Sequence, residues 1–318
     1  VTQLNLTEPS PPSVGFFGRK SRQPGIQAKN IGELTMAKRD IKTEITTKII
    51  DLIDTHGADW VKPFSSLCGS PSNALTGKSY RGMNSFWLGL QGQTYWATYK
   101  QWQELGAQVL KGSKASGIAV PMPIKDKKTD EIKGLFFRGA SVFSAAQVEG
   151  WEAPTVETPD LTEILANVDA YIQNVGSDIR HNSSGGAYYN PSSDFIQMPH
   201  REQFTATDTS TATECYYSTL LHEHTHWTGH KSRLDRLEQK NKRGYAFEEL
   251  IAELGAAMLC ATLGISPEVR PDHSQYIAHW VQSLTSDGGS DYIWKAASEA
   301  QKAVDYLNAA QQAEAIAA

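Results

Sequence analysis

The stretch His222-Glu223-His224-Thr225-His226 places two imidazoles four residues apart, with a carboxylate directly after the first of them. Four residues advance an α-helix by ~6 Å and by slightly more than one turn. His222 and His226 therefore project from one face of a helix and can bind the same metal ion. His224 points away from that face, and we expect it to be a surface or packing residue.

The spacing of this stretch matches the HExxH pattern, which is typical of zincin metallopeptidases. Zinc accepts imidazole nitrogens at ~2.0 to 2.1 Å, and a catalytic site needs a third protein ligand and an open position for water. Glu223 directly follows the first histidine, so it is placed to take a proton from that water. Zn²⁺ is the expected ion, and Mn²⁺ or another divalent metal suits the same ligand types. The alternative is a surface helix that merely happens to be rich in histidine.

The surrounding residues predict two helices. Thr211 and Glu214 have the spacing of a capping box, and the apolar residues after them indicate a helix that ends near Gly229. A second helix is predicted over residues 246–263, with Gly264 at its end.

The second predicted helix carries three glutamates among apolar residues, and buried carboxylates need a partner such as a dication. Glu249 and Glu253 share a face, whereas Glu248 points ~100° away and is expected to face solvent. In zincins whose third ligand is a glutamate, that residue is followed four positions later by an acidic or amide residue, and residues 249–253 resemble this arrangement. The resemblance implies that Glu249 is the third ligand and that Glu253 accepts a hydrogen bond from a ligand histidine. The reverse assignment is also open.

Composition limits the class of protein. The chain has 318 residues, 40% apolar content and a mean hydropathy of -0.42, so we expect a soluble globular protein with enough residues for two cores. It contains no apolar run of membrane-spanning length and no continuous apolar signal region, which predicts a cytoplasmic protein without a membrane partner. Cys68, Cys215 and Cys260 are widely spaced and are expected to be reduced packing residues.

Charge is distributed unevenly along the chain. Residues 1–150 hold 19 Lys and Arg against 12 Asp and Glu, a net charge of +7, and residues 151–318 hold 11 against 23, a net charge of -12. A basic half beside an acidic half suggests a module that binds a polyanion next to a module with another task. The alternative is ordinary fluctuation of charge along a chain.

The N-terminal region changes in character near residue 36. Residues 1–35 contain four prolines and no sustained periodicity, so a disordered extension is predicted. Isoleucine and leucine then recur at helical spacing from Ile41 to Ile53, and Gly57 is expected to end that helix. Further along, residues 117–124 and 135–142 are predicted to be strands joined by a charged loop.

Aromatic and basic residues alternate from Trp60 onward, as in proteins that hold single-stranded nucleic acid by stacking bases and by pairing cations with phosphates. Any single ring is more often a core residue, and Trp60 and Trp87 are the core candidates. The polar turn at residues 73–84 is the favoured contact surface. The candidate DNA contacts are Lys78, Tyr80, Arg81, Asn84, Trp96, Tyr99, Lys100 and Lys111.

Several C-terminal features fit a zincin without proving one. Residues 190–193 predict a tight turn between two strands, and the Ala-rich residues 296–317 predict a helix. The basic residues of segment 231–243 either line the cleft or lie in a solvated loop. The solvated loop is the favoured interpretation. A peptidase also needs a donor for the developing oxyanion. Tyr188, Tyr189, His230 and His273 are the candidates, and the sequence does not choose among them.

Several blocks in order resemble the ArdC-type antirestriction proteins of plasmids and related mobile elements, and also the N-terminal part of TraC-type primases. The N-terminal blocks are residues 60–64, 76–84, 96–101, 106–112 and 142–150. The C-terminal blocks are residues 187–199, 222–230, 248–254 and 296–303, with Tyr276, Trp280 and Asp287 between the last two.

The resemblance implies a two-domain α+β protein. It comprises a domain that binds single-stranded DNA at residues 36–150 and a mostly helical, zincin-like metallopeptidase domain at residues 151–318. Together these domains would protect incoming DNA from host restriction, with a host restriction-system protein as the candidate target. The alternative is a protein that coats single-stranded DNA and uses its metal only as a structural clamp.

Overall fold

A computed structural model describes residues 40–56, 69–126, 129–154, 160–207, 210–237, 242–266, 283, 286 and 289–317. The predicted disorder of residues 1–35, together with Trp60, Cys68 and His273, lies outside these ranges. The helices are α1 (Ile41–His56), α2 (Met83–Gly89), α3 (Tyr99–Glu104), α4 (Leu161–Val175), α5 (Ala212–Thr228), α6 (Lys242–Leu263) and α7 (Gly289–Ala317). The strands are β1 (Ser72–Asn73), β2 (Tyr95–Ala97), β3 (Gln108–Val109), β4 (Ser116–Lys125), β5 (Ile132–Ser144), β6 (Val148–Glu149), β7 (Asp178–His181), β8 (Tyr188–Asn190) and β9 (Phe195–Met198).

Helix α1 is amphipathic, and its buried face is a row of isoleucines. Ile41, Ile45, Ile49 and Ile53 recur every four residues and are each at most 3% exposed. The carboxylate of Asp40 accepts a hydrogen bond from the backbone N–H of Thr43 at 3.2 Å and so caps the first turn. The helix predicted from the isoleucine spacing is confirmed.

The first sheet has the strand order β1-β2-β5-β4, in which β1 and β2 are parallel and the other neighbours are antiparallel. The two predicted strands are confirmed as β4 and β5. They pair over nearly their whole length and form a long two-stranded structure that we call the β4–β5 ribbon. Ile118 and Val142 are buried at its base, whereas the residues near its tip are exposed. A separate pair, β3 and β6, is antiparallel.

The second sheet, of order β7-β9-β8, packs on α5. The tight turn predicted between β8 and β9 is confirmed, because the side-chain oxygen of Asn190 accepts hydrogen bonds from the backbone N–H groups of Ser192 at 3.0 Å and Ser193 at 3.1 Å. Strand β8 lies at the edge of this sheet.

Helices α5 and α6 pack closely enough that a glycine is needed at the contact. A Cβ atom at Gly255 would lie 2.6 Å from Cγ2 of Thr225, closer than real Cβ atoms come to a neighbour. The capping box predicted for α5 is confirmed, since the Thr211 hydroxyl accepts from the backbone N–H of Glu214 and the Glu214 carboxylate accepts from that of Thr211. Helix α6 begins four residues earlier than predicted, at Lys242.

The main hydrophobic core is continuous across residue 150. Buried side chains of α1, α2 and β4 pack in the same cluster as those of α5, α6 and α7, and Trp87 belongs to it as predicted. A small second cluster surrounds Trp102. The two clusters do not divide at residue 150, because the N-terminal part shares the main cluster with the C-terminal helices.

Two of the cysteines match their predicted role, since Cys215 and Cys260 are buried and carry free thiols. In the part of the chain that the structure describes, no helix combines the length and the apolar character that crossing a membrane requires.

Candidate metal centre

The HExxH pattern lies in the last two turns of α5, which is enclosed on almost every side. His222, Glu223 and His224 are at most 2% exposed. His224 is a packing residue, as expected. Its Nδ1 donates to the carbonyl oxygen of Leu220 at 2.8 Å, the hydroxyl of Ser177 donates to its Nε2 at 2.8 Å, and burial lowers its pKa to about 4.

Two imidazoles and one carboxylate converge at the side of α5 that faces α6. The Nε2 atoms of His222 and His226 are 3.0 Å apart, and the carboxylate oxygens of Glu249 lie 3.5 Å from the first and 3.6 Å from the second. Two nitrogens bound to one tetrahedral zinc at ~2.1 Å would be ~3.4 Å apart. Among the described residues, these three form a group whose ligand atoms could hold a metal ion.

Each imidazole has a second carboxylate on its far side. Nδ1 of His226 donates to Oε1 of Glu248 at 3.1 Å, and Nδ1 of His222 lies 3.8 Å from Oε1 of Glu253. The expectation that Glu248 faces solvent is wrong, because its side chain is only 13% exposed and contacts His226. The side chain of Glu253 lies on the His222 side of the group.

Arg236 holds Glu248 in place. Its Nε donates to Oε2 of Glu248 at 3.0 Å and its Nη2 donates to Oε1 at 2.9 Å. Its remaining donors bind the Thr228 hydroxyl at 2.7 Å and the Thr225 carbonyl oxygen at the end of α5. A Cβ atom at Gly229 would lie 3.0 Å from Cζ of Arg236, so the glycine leaves room for the guanidinium. The sequence analysis missed this contact, and no sequence signal points to it.

The charges of this group favour a cation at its centre. Burial alone would lower the pKa of His226, but the carboxylates of Glu249 and Glu248 outweigh it and raise that pKa to about 10. Burial acts to raise the pKa of Glu249, and the imidazoles of His226 and His222 instead lower it far below its usual range. Imidazole nitrogens with a carboxylate oxygen are a donor set that suits Zn²⁺ and Mn²⁺, so the residues fit a divalent ion.

The group opens into a cavity of about 740 Å³, which is within the range of ligand sites. Glu223 lines this cavity beside His222 and His226. Tyr188 and Tyr189 of the edge strand β8 also line it, as do Lys295 and Lys302 of α7.

The oxyanion-donor candidates differ in position. The Tyr189 hydroxyl donates to the carboxylate of Asp194 at 2.8 Å, whereas Tyr188 is 46% exposed at the cavity. Nδ1 of His230 accepts from the hydroxyl of Ser232 at 2.7 Å.

Comparison with known proteins gives two family matches. Residues 39–157 match the N-terminal domain of the anti-restriction factor ArdC, and residues 166–299 match a zincin-like metallopeptidase family. The Mn(II)-bound crystal structure of the antirestriction ArdC protein from plasmid R388 is 39% identical, with a TM-score of 0.68 over 86% of this chain and 98% of that one. The chain belongs to the ArdC antirestriction family.

Other relatives agree with membership of the ArdC family. A metal-free structure of the same R388 protein matches with a TM-score of 0.67. An uncharacterized protein, y4eC of Sinorhizobium fredii strain NGR234, is 37% identical over 86% of this chain and 92% of its own length. A DNA primase TraC of Escherichia coli is 33% identical over the same share of this chain but only 28% of its own length.

In this ArdC-family chain, the structure separates the eight candidate DNA contacts into two groups. Lys78, Tyr99, Lys100 and Lys111 are exposed, and the side chain of Arg81 is 63% exposed. The other three candidates have contacts inside the protein, as follows.

Trp96 is not an available stacking surface. It is 2% exposed, and its indole N–H donates to the carbonyl oxygen of Gln93 at 2.7 Å, so its assignment as a base contact is corrected to a core role. The Asn84 amide binds both backbone groups of Ala119, at 2.7 and 2.9 Å, which makes it an anchor of β4. Tyr80 is half-buried, and its hydroxyl donates to the carbonyl oxygen of Trp96 at 3.4 Å.

The turn that carries Arg81 is bound to α7. Arg81 pairs with Asp305 at 2.5 Å, and the backbone N–H of Gly82 donates to Oε1 of Gln301 at 2.7 Å. Lys302, the residue after Gln301, lines the cavity of the metal group. One helix therefore contacts both the candidate DNA-binding turn and the candidate metal centre.

Two basic residues of segment 231–243 are packed rather than solvated, whereas Lys231 is exposed as the favoured interpretation expects, and Lys240 lies outside the described residues. The Arg233 side chain is 7% exposed, lies over the ring of Trp227 at 3.8 Å and pairs with Asp194 in the β8–β9 turn. Arg236 is 8% exposed and binds Glu248 as described above. These two arginines fix the loop and the edge strand beside the cavity.

Proposed function

We propose that this protein is an antirestriction protein that protects incoming mobile-element DNA, and that its C-terminal part hydrolyses a peptide bond in a protein. The convergence of His222, His226 and Glu249 beside Glu223 in an accessible cavity carries the proposal. Membership of the ArdC family supports the biological role, and the match to zincin-like metallopeptidases supports the chemistry.

His222, His226 and Glu249 would hold a divalent ion, either Zn²⁺ or Mn²⁺. The Mn(II)-bound structure of the R388 protein supports a divalent metal in this family. When bound, such an ion would act as a Lewis acid toward water and the scissile carbonyl group. Three protein ligands at a cavity favour this catalytic role over a structural one, since structural zinc sites are usually closed by four.

The chain's own residues would supply the remaining steps. Glu223 takes a proton from the attacking water and returns it to the leaving amine. Glu248, held by Arg236, orients the ring of His226. Tyr188 is the favoured donor to the oxyanion, because it lines the cavity and its hydroxyl, unlike that of Tyr189, is not bonded to Asp194.

The test compares two variants. Glu223→Gln should bind metal as the wild type does but lose proteolysis, whereas His226→Ala should lose metal as well. Metal content is measured by mass spectrometry, and proteolysis is measured on DNA-bound proteins, including host restriction enzymes. Normal proteolysis in Glu223→Gln would refute the assigned mechanism.

The N-terminal part would bind single-stranded DNA through exposed cations of the turn at residues 76–82. Lys78 and Arg81 are exposed there, and the relation to TraC primases supports a role at DNA. The double change of Lys78→Ala with Arg81→Ala should weaken binding and reduce its dependence on salt. If affinity stays the same at every salt concentration, the contact lies elsewhere.

The alternative function is that the protein coats DNA and uses the metal only as a clamp. It is favoured if protection from restriction is intact in Glu223→Gln, because coating does not need that carboxylate. The peptidase function is favoured if protection is lost while metal content and DNA binding stay normal. Restriction of plasmid DNA transferred into a host that produces each variant measures the difference.

A further inference from the structure

Three cations line the cavity of the metal group, and two of them are bound by carboxylates of the protein. Arg236 binds Glu248 through two of its nitrogens, at 3.0 and 2.9 Å. Lys302 pairs with Glu299 at 2.6 Å, and both residues line the cavity. The third cation, Lys295 of α7, is exposed at the cavity and forms no ion pair with any residue that the structure describes.

The acids one turn away from Lys295 on its own helix are bound by other lysines. Asp291 lies four residues before it and Glu299 four residues after it, so both share its face of α7. Asp291 pairs with Lys42 of α1 at 2.8 Å, and Glu299 pairs with Lys302. The hydrogen bond with Lys42 is the main cause that lowers the pKa of Asp291, and the charge of Lys295 contributes less. The ammonium of Lys295 is therefore available to an anion that enters the cavity.

The packing of α7 limits where this cation can act. Ile293, Ala296 and Ala297, which flank Lys295 in the sequence, are fully buried in the main core. Helix α7 packs on α5 and α6, which carry the metal group. The backbone of Lys295 therefore keeps a constant distance from that group, and its ammonium can meet only a limited part of a bound peptide.

The charge of the whole cavity does not oppose an acidic ligand once a divalent ion is bound. With the ligand imidazoles neutral, five carboxylates and three cations line the cavity, and a divalent ion would offset the difference of two negative charges. The carboxylates are those of Glu223, Asp235, Glu248, Glu249 and Glu299. Asp235 lies on the loop after α5 and forms no ion pair with a described residue, so it is the competing position for a basic ligand group.

We propose that Lys295 binds a carboxylate of the substrate, so that the cavity selects peptides with an acidic group at one position relative to the cleaved bond. That group is either the side chain of a glutamate or aspartate or a free C-terminal carboxylate, since an ammonium donates charged hydrogen bonds to both in the same way. The inference rests on the peptidase part of the proposed function and names the substrate class of the same cavity.

The test measures binding of synthetic peptide hydroxamates to the full-length, zinc-loaded protein by calorimetry. A hydroxamate ligates a divalent ion, so it fixes the register of the attached peptide without any cleavage. One series carries the hydroxamate at the C-terminus and a second carries it as an N-terminal succinyl group, and each of the three nearest residues is in turn glutamate or glutamine.

At one position, the glutamate peptide should bind about fivefold more tightly than its glutamine partner, because Lys295 is exposed and an exposed ion pair is weak. The second series is also made with a free and with an amidated C-terminus. If the C-terminal carboxylate is the ligand, the free acid should instead bind about fivefold more tightly than the amide at one peptide length.

Variants of Lys295 connect the preference to this residue. Lys295→Gln should abolish the preference, and Lys295→Glu should make the carboxylate the weaker binder of each pair. Lys231→Gln is the matched control and should keep the preference, because Lys231 is an exposed lysine that does not line the cavity. Asp235→Asn is a second control, since it changes a charge that does line the cavity. Unchanged circular dichroism and zinc content verify that each variant is folded.

Three outcomes would overturn the inference. If the wild type binds the hydroxamates without preferring a carboxylate, or if Lys295→Gln keeps the preference, Lys295 is not the contact, and the proposed function stands. If Asp235→Asn shifts the preference as much as Lys295→Gln does, the cause is the general charge of the cavity. If no hydroxamate binds the zinc-loaded protein, the assigned metal centre is refuted as well.

A fourth outcome separates the inference from the peptidase function. A preference that depends on Lys295, found together with no cleavage of the corresponding peptides by the wild type, would support the carboxylate site and count against hydrolysis of peptide bonds.

Discussion

Arg236 donates two hydrogen bonds to Glu248, and Glu248 accepts one from His226. A carboxylate behind a ligand imidazole fixes the orientation of the imidazole, and a guanidinium that binds the carboxylate fixes the carboxylate in turn. This chain of contacts crosses from the loop after α5 to α6. Arg236, which lies outside the HExxH pattern, therefore influences the orientation of the His226 ring.

Replacing Arg236 by Met should lower the affinity for Zn²⁺ by about 10- to 100-fold, the usual effect of removing such a partner. Competition with a chromophoric chelator measures the affinity. Arg180→Met is the control, because Arg180 forms an exposed pair with Asp178 away from the site. Equal affinities in the two variants would show that Glu248 keeps its position without the guanidinium.

Cys260 provides a check on the packing of α6. Burial raises the pKa of its thiol to about 12, so at pH 8 the thiol stays protonated and unreactive. We expect no alkylation of Cys260 by iodoacetamide in the native protein at that pH and complete alkylation in urea, as measured by peptide mass spectrometry. Rapid reaction in the native state would contradict the buried position.

The sequence predicted the proximity of His222, His226 and Glu249 because helical spacing and the pattern at residues 249–253 both constrain it. It did not predict the position of Glu248. The prediction assumed that every carboxylate in contact with the histidines lies on one face of α6. The two imidazoles instead direct their Nδ1 atoms to different sides, and each Nδ1 atom has its own carboxylate neighbour. Arg236 could not be predicted either, since its contact depends on how an irregular loop folds back on α5.

The two helices of the site are held at a distance that one glycine sets. Gly255 on α6 faces Thr225 on α5. Thr225 lies three residues after His222 and directly before His226 in the sequence. The capping box, the strands of the ribbon and the β8–β9 turn followed from local sequence signals, which act within a few residues. The close contact at Gly255 has no such signal, because it depends on a partner 30 residues earlier in the chain.

Gly255→Ala should push α6 away from α5 and thereby weaken both folding and metal binding. Overpacking of this kind typically costs ~1 to 3 kcal/mol in the free energy of unfolding. Urea denaturation measures that cost, and chelator competition measures the metal affinity. Gly185→Ala is the control, because nothing lies within 4 Å of a Cβ atom there.

A second change tests the cause of that effect. Thr225→Ala removes the methyl and hydroxyl groups that the new Cβ would meet, so it should restore part of the metal affinity lost in Gly255→Ala. Strictly additive losses in the double variant would mean that the contact with Thr225 is not the reason.

The main core extends through both the N-terminal and the C-terminal part of the described chain. The change in charge near residue 150 predicted two modules, and the two family matches confirm a two-domain architecture. Charge reports on surfaces, however, and does not reveal that the two domains share their main core. Because α1 packs on α7 and α2 packs on both α6 and α7, an ion bound between α5 and α6 would stabilise the N-terminal part as well.

Chelating the metal should therefore lower the unfolding temperature of the whole unit in a single step. Ligand binding to the native state stabilises it by RT ln(1 + [L]/Kd), about 2.7 kcal/mol at a ligand concentration of 100 Kd. Far-ultraviolet circular dichroism and tryptophan fluorescence should give the same midpoint with and without EDTA. Two separate transitions, of which only one responds to EDTA, would contradict a shared core.

Within a little more than one turn, helix α7 contacts both the turn of Arg81 and the cavity of the metal group. Asp305 and Gln301 bind the turn, and Lys302 lines the cavity. Substitutions in this part of the helix must suit both neighbours at once. Relatives in which position 81 loses its positive charge should therefore also have lost the acid at position 305, and a broad alignment in which the two positions vary independently would count against this coupling.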